Sequence, residues 1–405
     1  MSKIMSVNAG SSSLKFQLLE MTKSKEEVIT EGQFEKIGLP DPNFKIKFNG
    51  KKEEHVVPQV KDHADAVAIL LDALVSMKIV KDLKEIKGVG HRVLHCGEKY
   101  NDSVIMDDTS IAVVESVCDL GPLHNPANLI GIRAFMKALP GVVNVGVFDT
   151  SFHLTMPDEA YMYAVPYEWY EKYSVRKYGF HGTSHKYVSL EAAKMLGKKS
   201  EDVRLITCHI GNGASCAAVK YGKVVDTSMG LTPLDGLVMG TRSGTIDPAV
   251  IQFICKHENL TVEEVTDILN KKSGFKGFTG NSDARAVREM KEQGNYRADL
   301  ILRMQEKKIC DYIGSYYVYM GGADAIIFTA GIGENSCETR ENVCNRISEA
   351  LGVKIDNELN AKCVRGVGGI ISTPDSKIKV LVIPTNEELM IARDVIRVGK
   401  VELED

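Results

Sequence analysis

The stretch Ile4–Leu19, IMSVNAGSSSLKFQLL, predicts a strand, a turn of small polar residues and a second strand. The same plan returns in Leu205–Val225, LITCHIGNGASCAAVKYGKVV, where a strand over Leu205–Ile210 is followed by a turn and a second strand from Cys216. A repeated hairpin favours a fold that was duplicated within the chain. Two unrelated hairpins would give the same pattern, so both interpretations stay open on the pattern alone.

Outside the hairpins, strand-like and helix-like segments alternate, which predicts an α/β architecture. One helix is predicted over Asp65–Met77, whose apolar residues share a single stripe. Asn125 and Pro126 predict a second helix that ends near Leu139, because Asn caps free backbone N–H groups and Pro is tolerated in the first turn. The strand Val142–Phe148 follows this helix.

The C-terminal part of the sequence repeats the alternation of strand, turn and helix. Ala325–Thr329 is predicted as a strand, Ala330–Asn335 (AGIGEN) as a turn, and a helix is expected after it. Lys379–Ile383 is predicted as another strand, and Asn386 caps a helix that begins with Glu387. These strand ends are where open α/β sheets place ligand chemistry.

Length and composition exclude several classes of protein. A chain of 405 residues predicts two or three domains. Lys and Arg number 50 against 54 Asp and Glu, so the net charge of −4 disfavours a nucleic-acid-binding protein. No apolar run approaches the length of a membrane helix, and the N-terminal residues lack the pattern of a secretory signal.

The cysteines indicate the compartment. There are nine of them, an odd number, and no two stand in a CxxC pair. This usage is typical of reduced thiols and argues against a zinc or iron–sulfur site built on paired cysteines. The sequence therefore predicts a cytoplasmic protein.

Three turns rich in small residues are candidates for phosphate binding. Asn8–Lys15 (NAGSSSLK), His209–Ser215 (HIGNGAS) and Ala330–Asn335 would let backbone N–H groups approach a phosphate, and Lys15 adds a positive charge. None matches the P-loop, and the dinucleotide fingerprint fails because its third Gly is absent. Each turn alone is compatible with a plain tight turn, whereas three together favour nucleotide binding.

Two arginines and several histidines have both a functional and a structural interpretation. Arg242 lies in the Gly-rich stretch Met229–Pro248, which suits a guanidinium that clamps a carboxylate or phosphate, while for Arg92 function and surface solvation are balanced. The pairs formed by His91 with His95 and by His181 with His185 lack the glutamate of HExxH, so core or capping roles are favoured over zinc. No GxSxG motif supports a hydrolase.

Hard oxygen donors stand beside three predicted strand ends. Asn8, Asp149 and Glu387 suit Mg²⁺, which keeps most of its water and takes one or two carboxylates plus substrate phosphates. The alternative is that these residues only cap turns and helices.

Six segments together closely resemble the acetate kinase family. They keep the family order from Ile4 to about Asp394 and are VNAGSSSLKF (7–16), FHGTSHKYV (180–188), HIGNGAS (209–215), DTSMGLTPLDGLVMGTRSGTID (226–247), FTAGIGENS (328–336) and IPTNEELMIARD (383–394). The resemblance implies a duplicated, two-domain ribonuclease H-like (actin-like ATPase) fold with the active site in the cleft between the domains. The expected domains are residues 1–150 with 386–405, and residues 151–385 for nucleotide binding and dimerisation.

The resemblance also implies the reaction. A cytoplasmic homodimer would transfer the γ-phosphoryl group of ATP directly and reversibly to acetate, giving acetyl phosphate and ADP and serving acetyl-CoA biosynthesis. Mg²⁺ would be required, with Mn²⁺ as a substitute, and neither a nucleic acid nor a membrane would be a partner.

Family positions carry over to individual residues. Asn8 and Glu387 match the metal positions, Arg92 the substrate-binding arginine and Asp149 the catalytic acid. His181 and Arg242 match the pair that stabilises the transition state, and His124 a further active-site histidine. The methyl pocket would be lined by Leu94, Leu123, Phe180 and Pro233. The nucleotide contacts would be Lys15, His209, Ile210, Gly211, Asn212, Gly213, Asp283, Ala284, Arg285, Gly331, Ile332, Gly333, Glu334 and Asn335.

Alternatives remain beside this assignment. A propionate or butyrate kinase of the same family has nearly the same motifs, and a non-catalytic, actin-like ATP-binding switch would share the fold. A sugar kinase would need a polar pocket. The family usually has HRVVHGGE where this chain has HRVLHCGE, which places Leu94 for Val and Cys96 for Gly. The extra methylene of Leu94 predicts a bias towards acetate over propionate.

Overall fold

A computed structural model of the chain describes residues 2–57, 59–122 and 124–404. Its strands are β1 (Ser2–Gly10), β2 (Ser13–Met21), β3 (Glu26–Glu35), β4 (Asn43–Phe48), β5 (Lys51–Val56), β6 (Ile86–Val93), β7 (Val104–Ile105), β8 (Val143–Phe148), β9 (Arg204–Ile210), β10 (Ala214–Lys220), β11 (Lys223–Thr227), β12 (Ala325–Thr329), β13 (Gly369–Ile370) and β14 (Lys379–Val382).

The helices in chain order are α1 (His63–Ser76), α2 (Asp108–Ser116), α3 (Asn125–Ala138), α4 (Asp158–Tyr161), α5 (Tyr167–Tyr173), α6 (Gly182–Met195), α7 (Ala249–Glu258), α8 (Val262–Lys271), α9 (Gly274–Thr279), α10 (Ala284–Glu292), α11 (Tyr296–Met320), α12 (Ala330–Asn335), α13 (Cys337–Leu351), α14 (Asn357–Lys362) and α15 (Glu387–Gly399). In the described ranges, no helix combines the length and apolar character needed to cross a membrane.

The chain forms two compact units, each built on one sheet. Unit 1 is Met1–Leu154 with Asn386–Asp405, and unit 2 is Thr155–Thr385. The sheet of unit 1 has the order β5-β4-β3-β2-β1-β6-β8-β7, and that of unit 2 has the order β11-β10-β9-β12-β14-β13.

Both sheets contain the same five-stranded core. In unit 1, β1 pairs antiparallel with β2 and parallel with β6, and β6 is parallel to β8. In unit 2, β9 pairs antiparallel with β10 and parallel with β12, and β12 is parallel to β14. Each core therefore has the ribonuclease H-like order 3-2-1-4-5. The α/β class and the duplication predicted from the two hairpins are confirmed.

The second hairpin differs in detail from the prediction. The segment after the turn is two strands rather than one, because Tyr221 and Gly222 take positive φ angles of 55° and 80° and reverse the chain between β10 and β11. Paired positive φ angles are typical of the tight turns that join antiparallel strands. This turn supplies the third strand of the core.

In unit 1, helices cover both faces of the central strands. Met5 and Val7 of β1 belong to an apolar core with α1 and α3, whereas Ile4 packs on the other face with Ile391 of α15. Helix α15 lies very close to β6, since a Cβ on Gly90 would be 2.3 Å from Cγ2 of Ile391. This close packing fixes the first turn of α15, where Glu387 lies, against the ends of the central strands.

Helix α3 begins at Asn125 as predicted, but the Asn125 side chain does not cap it. Its Oδ1 accepts a hydrogen bond from the His95 N–H at 3.1 Å, and its Nδ2 donates to the His95 carbonyl at 3.0 Å. One turn later, Asn128 accepts from the Leu94 N–H at 3.1 Å and donates to the Ala9 carbonyl at 2.7 Å. Two asparagines of α3 thus hold the chain that continues from β6.

The segment Ala330–Asn335 was predicted as a turn, whereas the structure forms the short helix α12 there. Ala330 adopts a positive φ of 64°, and its N–H donates to Oε1 of Glu334 at 2.7 Å. The buried guanidinium of Arg340 donates to the carbonyls of Gly333 and Glu334, both at 2.9 Å. Contacts distant from the local sequence signal therefore close this turn into a helix.

Candidate active site

The centre of the unit 1 site is an ion pair between Arg92 on β6 and Asp149 at the end of β8. Arg92 Nε lies 3.1 Å from Oδ1 of Asp149, and Nη2 lies 2.6 Å from Oδ2. The Asp149 side chain is 2% exposed, and that of Arg92 is 27% exposed. Asp149, with smaller contributions from Glu387 and Glu388, raises the pKa of Arg92 above its usual range. The guanidinium is therefore a permanent cation held in a fixed orientation.

Arg92, Glu387 and Asn8 line the same cavity of about 350 Å³. Burial raises the pKa of Glu387 to about 7; Arg92 opposes this effect, and Asp149 and Glu388 add to it. An acidic group whose charge is this costly is stabilised by a nearby cation. Asn8 of β1 is the register partner of Lys15 on β2, so the first hairpin brings an amide and an ammonium group to the same cavity.

A smaller cavity of about 200 Å³ adjoins these residues. Arg92, Lys15 and Asn8 line it together with Leu94 and His124. Leu94 is 8% exposed, and it adds an apolar surface to a lining that is otherwise mostly charged and polar. This combination suits a small anion with a short apolar end. Leu123, which the sequence placed in the same pocket, lies outside the described residues.

In unit 2, His181 begins α6 with a positive φ of 60°. Its Nδ1 lies 2.8 Å from Oγ of Ser215, and its ring stacks on that of His209 with 4.1 Å between the ring centroids. Nδ1 of His209 lies 2.8 Å from Oγ of Ser184, whose Oγ lies 2.8 Å from Oγ1 of Thr385. The ends of β9, α6 and β14 are thereby connected through hydroxyl and imidazole groups.

Arg242 and His181 approach the same glycine. A Cβ on Gly213 would lie 3.4 Å from Nη1 of Arg242 and 3.4 Å from Nε2 of His181. Arg242 Nη1 also donates to the Pro233 carbonyl at 3.2 Å, and burial lowers the pKa of Arg242. Phe180, at 1% exposure, is buried beside His181. One guanidinium and one imidazole therefore both lie beside Gly213 in the turn after β9.

Unit 2 also contains a cavity of about 910 Å³, large enough for a nucleotide. Eight of the predicted nucleotide contacts line it: Gly211, Asn212, Asp283, Ala284, Arg285, Gly331, Ile332 and Asn335. Asp283 caps α10 and forms an ion pair with Arg285 at 2.7 Å, and hydrogen bonds from Arg285 lower the pKa of Asp283 to about 2.

The other predicted nucleotide contacts are not part of this lining. Lys15 belongs to unit 1, and Glu334 accepts hydrogen bonds from the N–H groups of Ala330 and Thr385 at 2.7 and 3.1 Å. His209 and Ile210 are buried at the end of β9, next to the turn that contains Gly213, while Gly333 contacts Arg340 through its carbonyl.

The histidine pairs have hydrogen-bonding partners in the fold. Nε2 of His91 lies 2.8 Å from Oδ1 of Asn144, and the two ring nitrogens of His185 lie 2.7 Å from Oγ1 of Thr207 and 2.8 Å from Oγ of Ser215. Within residues 2–57, 59–122 and 124–404, no group of three His, Cys, Asp or Glu side chains is arranged to hold a metal ion.

Several residues around the site were not identified from the sequence. Asn128 supports Leu94, Arg340 holds α12, and Ser215 contacts His181. Ser215 is the last residue of the segment HIGNGAS, so the sequence did show that a hydroxyl group follows this turn. Arg340 gave no signal, because an arginine in a helix is ordinarily exposed.

A duplicated ribonuclease H-like fold with a nucleotide-sized cavity in one unit and a small anion pocket in the other is typical of small-molecule kinases. The model of the acetokinase family matches residues 3–393. The chain therefore belongs to the acetokinase family.

Individual relatives agree with this assignment. The chain is 54% identical to the acetate kinase of Thermotoga maritima over 97% of each chain. The crystal structure of Porphyromonas gingivalis acetate kinase matches with a TM-score of 0.94 and 45% identity, covering 98% of this chain and 100% of that one. A propionate kinase from Francisella tularensis matches with a TM-score of 0.89 and 39% identity, covering 97% and 99%.

Proposed function

We propose that this acetokinase transfers the γ-phosphoryl group of ATP to acetate, giving acetyl phosphate and ADP, and catalyses the reverse reaction at the same site. The observation that carries the choice of a small acid is the 200 Å³ cavity, whose lining combines the cations Arg92 and Lys15 with the apolar Leu94. A guanidinium binds a carboxylate, and an apolar wall accepts a methyl group.

The chemistry requires little help from a general base. A carboxylic acid with a pKa near that of Glu, about 4.3, is already ionised at neutral pH. The main barrier is the approach of this anion to a polyanionic phosphate. Arg92 lowers the barrier by pairing with the carboxylate, while Asp149 fixes the guanidinium through two hydrogen bonds. His124 lines the same cavity and would contact the acid.

In unit 2, Arg242 and His181 are proposed to stabilise the equatorial oxygens of the transferred phosphoryl group. Both side chains reach the region of Gly213, at the turn that follows β9. Fixed donors aimed at developing charge are the main source of catalysis in phosphoryl transfer. The nucleotide would occupy the 910 Å³ cavity. Phe180 and Pro233 are proposed to contact the methyl group of the acid.

The donor set of unit 1 fits a magnesium ion. Asn8 and Glu387 would hold it, because an amide oxygen and a carboxylate line one cavity and Mg²⁺ keeps several of its waters. The raised pKa of Glu387 supports this assignment, since a cation would relieve the cost of its charge. When bound, Mg²⁺ supplies positive charge for the phosphate oxygens, and Mn²⁺ has the same preference for oxygen ligands.

We further propose that the two units are functional domains, with residues 1–150 and 386–405 binding the acid and metal, and residues 151–385 binding the nucleotide. Dimerisation through unit 2 is supported by its large exposed apolar side chains, which include Tyr167, Trp169, Tyr173, Phe253 and Val318. A cytoplasmic location is supported by the nine cysteines, all of which lie in the described ranges and are free thiols.

A propionate kinase is the second candidate. The similarity to the Francisella tularensis propionate kinase supports it, and one methylene separates the two substrates. The buried Leu94 in the lining of the small cavity favours acetate. A non-catalytic switch would leave the pocket around Arg92 without a role.

The test is formation of acyl phosphate, trapped with hydroxylamine, from ATP and Mg²⁺ with formate, acetate, propionate or butyrate. We expect strong turnover with acetate that falls as the chain lengthens. The Arg92→Ala variant should lose this activity, whereas the Arg133→Ala variant, which removes an exposed arginine of unit 1, should retain it. Nucleotide binding without acyl phosphate from any acid would contradict the proposal.

A further inference from the structure

Three buried side chains of unit 2 and the partly exposed His181 form a continuous hydrogen-bonded chain that ends at His181. Oγ1 of Thr207 lies 2.7 Å from Nδ1 of His185, and Nε2 of His185 lies 2.8 Å from Oγ of Ser215. Oγ of Ser215 lies 2.8 Å from Nδ1 of His181. Thr207, His185 and Ser215 are each 0% exposed, so their partners are fixed by the fold.

The chain restricts where the protons can lie. Ser215 has one hydroxyl proton and two imidazole neighbours, so it donates to one ring and accepts an N–H from the other. If His185 carries its proton on Nε2, Ser215 accepts that proton and donates to Nδ1 of His181. A neutral His181 then carries its own proton on Nε2. The tautomers of the two histidines are therefore coupled through Ser215.

Distances and charges favour this arrangement. The Thr207 hydroxyl has a close neighbour, Nδ1 of His185 at 2.7 Å, and a distant one, the Ala217 carbonyl at 3.4 Å. Donation to His185 uses the shorter contact and leaves the proton of His185 on Nε2. A positively charged His181 is disfavoured, because it would lie beside the Arg242 guanidinium near Gly213 and against the His209 ring.

We propose that Ser215 and His185 are positioning residues that hold His181 as the neutral Nε2–H tautomer, so that its ring donates to a phosphoryl oxygen without carrying a charge. This inference rests on the proposed function, in which His181 contacts the transferred group. In this inference, Arg242 supplies the positive charge and His181 supplies a directed hydrogen bond, although both side chains approach Gly213.

The test is NMR of the whole enzyme labelled with ¹⁵N in histidine, because long-range couplings distinguish the two neutral tautomers and the imidazolium. The His181→Gln variant assigns the signal, and the exposed His257 is an internal reference. We expect the Nε2–H tautomer in the unaltered enzyme and in Ser215→Thr, and a loss of that single tautomer in Ser215→Ala. An Nδ1–H or imidazolium signal at neutral pH, or an unchanged tautomer in Ser215→Ala, would overturn the inference.

Kinetics provide a second readout. Ser215→Ala should lower kcat about tenfold, which corresponds to the free energy of one lost hydrogen bond. The KM values of ATP and acetate should change little. Ser215→Thr, which keeps the hydroxyl group, should have a kcat close to that of the unaltered enzyme. In a His181→Ala background, Ser215→Ala should have no further effect, because it acts through His181. An equal effect in both backgrounds would indicate a merely structural role. Absence of acyl phosphate formation would contradict the proposed function but leave the NMR result interpretable.

Discussion

Arg92 and Asp149 face each other edge to edge, with Nε 3.1 Å from Oδ1 and Nη2 2.6 Å from Oδ2, and the carboxylate is almost entirely buried. The arginine proposed to bind the substrate acid is thus oriented before any substrate arrives. Pre-orientation reduces the entropy that binding must remove, and it makes the activity depend on a residue that need not touch the acid.

The first prediction concerns this pair. Asp149→Asn removes the charge and one of the two acceptors, so Arg92 loses its orientation, and we expect kcat/KM for acetate to fall by about 100-fold. Arg397 and Asp102 form a similar two-point pair at the surface, with 2.7 and 2.6 Å contacts. Asp102→Asn is therefore the matched control and should retain full activity. Steady-state kinetics with acetate and ATP would decide, and a fully active Asp149→Asn enzyme would refute the role.

The second prediction concerns Arg242. Because its guanidinium is proposed to act on the transferred phosphoryl group, Arg242→Ala should depress kcat by about 1,000-fold and raise KM much less. The exposed Arg303, paired with Asp299 at 2.8 Å, offers a control variant, Arg303→Ala. An Arg242→Ala enzyme with normal kcat and a raised KM would show that the residue only binds substrate.

The third prediction concerns the choice of acid. Leu94→Val shortens the wall of the 200 Å³ cavity by one methylene and should shift the ratio of kcat/KM for acetate and propionate towards propionate by about tenfold. Leu129→Val removes the same group from the apolar core of unit 1 and should leave the ratio unchanged. Equal kcat/KM values for both acids in the unaltered enzyme would contradict the role assigned to Leu94.

The fourth prediction concerns stability and pH. Burial lowers the pKa of His91 to about 4, although Asn144 opposes the shift. The unfolded chain binds this proton near pH 6.5, so the free energy of unfolding should fall by about 3 kcal/mol as the pH drops from 6.5 to 4. Above pH 6.5 the contribution is complete and constant.

Urea unfolding across this range measures the effect. His91→Gln should show a shallower dependence on pH than the unaltered protein, and His55→Gln, at an exposed position, should not. Identical slopes for His91→Gln and the unaltered protein would exclude His91 as the group responsible.

Local sequence patterns predicted the elements whose ends are determined by residues within or next to the element. The strand over Ala325–Thr329 matches β12, and Asn386 caps α15 by accepting a hydrogen bond from the Leu389 N–H, as its position predicted. The start of α3 at Asn125 was also correct, and Pro126 lies in its first turn as predicted. The capping role given to Asn125 was wrong, because its side chain binds His95. A side chain that has both a local and a distant partner cannot be assigned from spacing alone.

The parts that escaped prediction depend on distant contacts. Strands β3, β4 and β5 of the unit 1 sheet were not predicted from the sequence. They are recognised from their antiparallel pairing in the structure. Helix α12 depends on hydrogen bonds of Glu334 and Arg340. No residue pattern in this part of the sequence indicates those hydrogen bonds. In unit 1, Asn8, Arg92 and Asp149 lie at or near strand ends, whereas in unit 2 His181 precedes α6 and Arg242 lies in the loop between β11 and α7. The positions of Thr207 and Ser215 behind His181 depend on the paired register of β9 and β10.

The first two strands of each unit meet in a comparable cross-strand pair, Asn8 with Lys15 in one and His209 with Ser215 in the other. One architecture inherited twice has thus diverged into an amide and an ammonium on one side, and an imidazole and a hydroxyl on the other. A substitution at Leu94, which lines the small cavity of unit 1, therefore leaves unchanged the residues that line the 910 Å³ cavity of unit 2.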